Sequence, residues 1–240
     1  MVTYSWYEDT ERVGGWDGAL AETFQRIGGQ HGYGKVNASF QPFKEFKASW
    51  TRRDTDIEFQ VTDYMRPARQ ELMDEFAECL FQRVRSKRQG LRYPDQVKRW
   101  LESDDFVARN RPLYLKRSRN LSMGGKGAVY DLERSYDRLR ATGMVPEIRN
   151  RYLTWTKNAN IQRMGYCSVL MRTVAVSSAL DDPEVPEFVT DYVLYHELLH
   201  MVKGLEQKRV HHDAEFKERE RRFPLWREAE THLKRIAARK

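Results

Sequence analysis

Cysteine is scarce. The 240 residues contain two, Cys79 and Cys167, too few for a disulfide framework or a cysteine-rich zinc site. No apolar run approaches the roughly 20 residues that a membrane span requires. The opening MVTYSWYEDTERVGG lacks the basic and apolar regions of a secretory signal. No period of roughly 20–50 residues recurs, which argues against a solenoid or a propeller. A packed core is nonetheless within reach, because 40% of residues are hydrophobic and 12% aromatic, too many for a disordered chain. The expectation is a globular, cytoplasmic protein without a membrane partner, built as one large domain or two small ones.

Charge is plentiful and uneven. Lys and Arg number 42 against 35 Asp and Glu, a formal excess of +7. Thirteen of the cations, against four acids, fall between Arg83 and Gly127, so this block exceeds the excess of the whole chain. Tyr93, Trp100 and Tyr114 lie among them. Cations that neutralise phosphates, interleaved with aromatics that stack on bases, suit DNA or RNA without strong sequence preference. The candidate contacts are Arg109, Arg111, Arg117 and Arg119. The same composition also fits a solvated helix face.

Hydrophobic spacing divides the chain into elements. Residues 17–28 read as a short helix closed by Gly28 and Gly29. Aromatic and β-branched residues around the charged turn TRRD predict a β-hairpin with strands near 36–50 and 56–62. Pro67 opens an amphipathic helix with Leu72, Phe76, Leu80 and Val84 in i, i+4 register. The glycines of SMGGKG (122–127) suggest a flexible joint, which divides the chain into regions 1–127 and 128–240. Beyond it the pattern predicts a helix closed by Gly143, three strands, and three further helices. Overall this is an α+β protein with an N-terminal α/β extension.

The chemistry sits on the first of those three helices. His196, Glu197, Leu198, Leu199 and His200 match H-E-x-x-H. At i and i+4 both imidazoles project from one helix face and can reach one Zn²⁺ at about 2.0–2.1 Å. Glu197, one position round, is placed to take a proton from a metal-bound water without being a ligand. A catalytic site needs a third protein ligand and an open fourth position. The extended pattern H-E-x-x-H-x-x-G-x-x-H fails, since Gly204 falls one place late and Glu206 occupies its last position. The ligand must then come from the next loop or helix, where His211, His212, Glu215, Glu218 and Glu220 are candidates.

HELLH followed by HDAEF resembles the SprT-like (Spartan) and YgjP-like zinc metallopeptidases, whose pattern is H-E-x-x-H, a variable gap, then H-x-x-x-F. The resemblance covers roughly residues 129–223 and includes the strands that precede the helix. It implies a zincin-like metallopeptidase domain, a small twisted sheet with an active-site helix, holding one zinc per chain. It places His212 as the third ligand, with the adjacent His211 as the alternative. It also implies an edge strand beside the cleft that pairs with an extended protein or peptide substrate. That strand is assigned to Ile161–Val169, with Arg163, Gly165 and Tyr166 near substrate. Since SprT-like relatives cleave proteins crosslinked to DNA, the basic block and the peptidase motif suggest one function. The competing readings are a peptidase with no nucleic-acid role, and a non-enzymatic nucleic-acid-binding protein with a structural zinc.

Overall fold

The computed structural model describes residues 10–86, 93–205 and 212–238. The chain separates into two compact units, dividing between Leu101 and Glu102. Among the described residues no helix is long and apolar enough to cross a membrane.

The first unit runs α1 (Thr10–Gln30), β1 (Val36–Gln41), β2 (Ala48–Arg53), β3 (Asp56–Thr62), a 3₁₀ turn (Asp63–Met65), α2 (Gln70–Arg85) and α3 (Asp95–Leu101). The expected hairpin is a three-stranded mixed sheet of order β1-β3-β2. Val36 lies opposite Ile57 in a parallel pair, and Ala48 opposite Val61 in an antiparallel one. Pro42 explains the difference: with no N–H to offer a ladder, it ends β1 and turns the chain out of the sheet. The chain returns as β2 on the other side of β3. Helix α1 also runs past the glycines expected to close it. A Cβ at Gly28 would strike Val36 and Phe81, so this glycine permits close packing rather than ending the helix. The core is aromatic, with Phe59 between Phe24 and Phe81 at 5.0 Å from each. Pro67 lies ahead of α2, which starts at Gln70 and buries Leu72, Phe76 and Leu80.

The second unit runs α4 (Asp104–Arg117), α5 (Leu132–Ala141), β4 (Tyr152–Trp155), β5 (Gly165–Ser168), β6 (Thr173–Val176), a 3₁₀ turn (Ser178–Leu180), α6 (Glu187–Lys203), α7 (Ala214–Glu220) and α8 (Trp226–Ala237). Its sheet has the order β4-β6-β5, with β4 parallel and β5 antiparallel to β6. Both units thus thread a helix, three strands with the third in the middle, a capped 3₁₀ turn and a helix. Thr62 and Ser177 occupy the same place, each capping the turn after its central strand. This is a repeat of topology that leaves no trace as a sequence period.

The SMGGKG segment is not a joint. Trp155 donates its backbone N–H to Gly124 and its indole N–H to Gly125, and Leu132 donates to Gly125. Ala128, Val129 and Tyr130 all donate to the Asp181 carboxylate. A Cβ at Gly127 would collide with that same carboxylate. Gly127 alone needs to be glycine for this close approach, and the backbone of Gly124 and Gly125 is held by its hydrogen bonds. The division of the chain falls at Leu101–Glu102 instead of 127–128.

Candidate metal centre

Helix α6 is apolar on nearly every side. Val189, Val193, Leu194 and Leu198 are all 5% exposed or less and pack with Val174 and Val176 of β6 in one core. Burial on that scale fixes the helix in rotation, at about 25 cal/mol for each Å² removed from water. His196, Glu197 and His200 are therefore held in set positions and not on a frayed surface turn.

His212 comes to them from the next segment. Asp213 caps α7, accepting from the Phe216 N–H at 2.9 Å, and its other oxygen pairs with Lys203 Nζ at 2.7 Å. The start of α7 is thereby pinned to the end of α6. Phe216, one turn beyond His212, presents its ring to all three imidazoles, with centroids 5.1, 4.6 and 4.8 Å from those of His196, His200 and His212. The spacing H-x-x-x-F thus has a physical meaning: it brings the histidine to the pair on α6 and sets the phenyl ring against the trio from one side.

The donor atoms fit a metal ion. Nitrogens bound at about 2.0–2.1 Å on the corners of a tetrahedron stand about 3.3 Å apart. His212 Nε2 lies 3.2 Å from His196 Nε2 and 3.1 Å from His200 Nε2. These three residues are the one cluster of potential ligands among the described residues. His211 lies outside the described residues. Two of the remaining candidates turn elsewhere: Glu215 pairs with Arg219 on α7 and Glu218 with Arg222 just past its end. Glu220, at the end of α7, reaches behind the trio to His196 Nδ1 at 2.5 Å.

Glu197 is 7% exposed. Burial pushes its carboxyl up to about 7, against the pull of His196 and Arg163. Its packing partner is Gly165, the first residue of β5. A Cβ there would approach Glu197 Oε1 to 2.8 Å and Val193 Cγ1 to 3.0 Å, so only glycine leaves the carboxylate its room. Arg163 lies over the Tyr166 ring at 4.8 Å and acts electrostatically on Glu197. Of the three residues expected near substrate, Gly165 packs against Glu197 and Arg163 acts on it, while Tyr166 is reached through Arg163. Strand β5 is one of the sheet's two edges, as expected, but shorter than 161–169. Asn160 accepts from the backbone of Gln162 and Arg163 and holds that stretch in a turn. A cavity of about 330 Å³ opens next to Glu197 and His196, walled by Met164, Gly165, Tyr192 and Val193.

Two tyrosines flanking the motif are structural. Tyr195 donates to the Arg219 carbonyl at 2.6 Å, and Tyr192 hydrogen-bonds the Glu220 carboxylate. Burial pushes Glu220 up, but the hydrogen bonds from His196 and Tyr192 outweigh it and hold the group below the usual carboxylate range. Sequence reasoning counted Glu220 only as one of several possible ligands. Three Glu residues on one short helix look alike until the helix is placed.

The basic block does not form one element. Arg83 and Arg85 end α2, Lys98 and Arg99 lie on α3, and Arg109, Arg111, Lys116 and Arg117 lie on α4. Lys87, Arg88 and Arg92 fall outside the described residues. Arg109 and Arg119 are exposed. Arg111 is partly buried and donates to the Asn150 carbonyl, so it serves the fold. Arg117 is partly buried in the last turn of α4.

No protein-family model matches the chain, and no curated protein or solved structure does either.

Proposed function

We propose that this chain is a zinc-dependent peptidase of the SprT-like, zincin-like kind. The observation that carries the reading is the spacing of the three imidazole Nε2 atoms together with a buried carboxylate one residue from His196. His196, His200 and His212 would hold the ion and leave a fourth position open. When bound, zinc would polarise the scissile carbonyl and bring the pKa of a coordinated water to about 7. Glu197 would take the proton of the attacking water and pass it to the leaving nitrogen. Gly165 keeps that carboxylate in place, and the edge of β5 offers backbone groups to an extended substrate. Arg163 and Tyr166 stand along that edge. A structural zinc is disfavoured by Glu197, since a purely structural site has no need of a buried carboxylate next to its ligands.

The test is hydrolysis of an unfolded polypeptide such as casein by the full chain. Activity should disappear with a strong chelator and return with about one equivalent of zinc. Activity indifferent to the chelator overturns the reading. The same assay with single-stranded DNA present tests the nucleic-acid role proposed for the exposed Arg109 and Arg119. Any stimulation resting on several phosphate contacts should fall about tenfold or more between roughly 50 and 200 mM salt. With no DNA effect at low salt, the chain is a peptidase whose basic block is only solvated surface.

A further inference from the structure

We infer that Glu220 is a positioning residue, holding His196 in the tautomer and orientation that present Nε2 to the metal. This rests on the zinc reading above and extends it to a residue that never touches the ion. An imidazole has two nitrogens, and the partner of one decides what the other can do. Here Nδ1 of His196 faces Glu220 Oε1 at 2.5 Å, while Nε2 faces His212. A carboxylate accepts only, so the ring proton sits on Nδ1 and the Nε2 lone pair is left for the metal. The charge on the acceptor also makes the imidazole a stronger donor toward a cation.

The carboxylate is itself held. Its side chain is 19% exposed, and Tyr192 hydrogen-bonds it from α6, one turn before His196. Helix α7 is clamped at both ends, by the Lys203–Asp213 pair at its start and by Tyr195 on the Arg219 carbonyl near its end. One seven-residue helix therefore serves the metal twice. His212 immediately precedes its cap and supplies a ligand, and Glu220 at its last turn aims a second ligand. Among the described residues Glu215 and Glu218, which share the helix, pair with arginines four residues on.

The test is zinc affinity, measured by competition with a chromophoric chelator on the metal-free protein and its Glu220→Gln variant. Loss of such a partner costs about 10–100-fold in metal affinity, and the visible spectrum of the Co²⁺-loaded variant should change. The melting temperature of the metal-free variant should stay near wild type, which separates positioning from folding. Tyr192→Phe removes only the hydroxyl that steadies Glu220 and should weaken zinc severalfold. It is the deciding variant if Glu220→Gln does not fold. Unchanged zinc affinity and an unchanged Co²⁺ spectrum in the folded variants overturn the inference. A wild-type protein that binds no zinc overturns the metal reading itself, a distinguishable result.

Discussion

Glu197→Gln should bind zinc like the wild type and hydrolyse peptide about 10²–10⁴-fold more slowly. The amide keeps the shape of the carboxylate, so the contacts with Gly165 and Val193 survive, but it cannot accept the proton of the attacking water. A second effect has the opposite sign. In the metal-free protein the carboxyl titrates at about 7, against 4.5 in an ordinary setting. A raised carboxyl pKa means that the folded chain resists ionisation, so the native state loses stability as pH climbs from about 4.5 to 7. It carries the full penalty above that, on the order of 3 kcal/mol at roughly 1.4 kcal/mol per pH unit. Metal-free Glu197→Gln should therefore melt higher than metal-free wild type at pH 8 and equally at pH 4. Near-normal turnover in this variant excludes Glu197 as the base. Loss of zinc instead makes it a prop for the site.

His212→Ala should reduce zinc affinity by more than the roughly 10–100-fold expected for a group behind a ligand, because it removes a bond to the ion itself. The fold should survive. His212 is exposed, Asp213 still caps α7, and Phe216, 3% exposed, still packs beneath the two remaining imidazoles. His211→Ala should leave affinity where it was. The opposite ranking transfers the ligand role to His211, and equal indifference to both substitutions removes this segment from the site. Isothermal titration of the metal-free proteins with zinc distinguishes these outcomes.

The legible parts of this chain are those where one element carries the whole signal. HELLH lies on a helix so apolar that its register is forced. The four-residue spacing from His212 to Phe216 is what lets the phenyl ring pack against that imidazole, whereas the choice of His212 over His211 comes from the resemblance alone. The edge position of β5 also agrees with expectation. Where partners come from distant segments, spacing is silent. Glu220 cannot be told from Glu218 until α7 lies against α6. The glycines of SMGGKG carry the composition of a hinge, yet their backbone is hydrogen-bonded to Trp155 and Leu132 and Gly127 lies hard against Asp181, a need visible only with those partners in place. In the first unit, continuous β-propensity across residues 36–50 masked the break at Pro42, and with it the parallel pairing of β1. The shared topology of the two sheets is invisible for a related reason. It is a property of strand order, which side-chain patterns do not encode.

The most direct measurement is a crystal structure of the protein grown with zinc, with diffraction recorded on both sides of the zinc absorption edge. The expected result is one anomalous peak per chain, about 2.0–2.1 Å from the Nε2 atoms of His196, His200 and His212, with the fourth position facing Glu197. Absence of a peak at that point, or a peak whose ligands leave out these histidines, contradicts the assignment of this cluster as a catalytic metal centre.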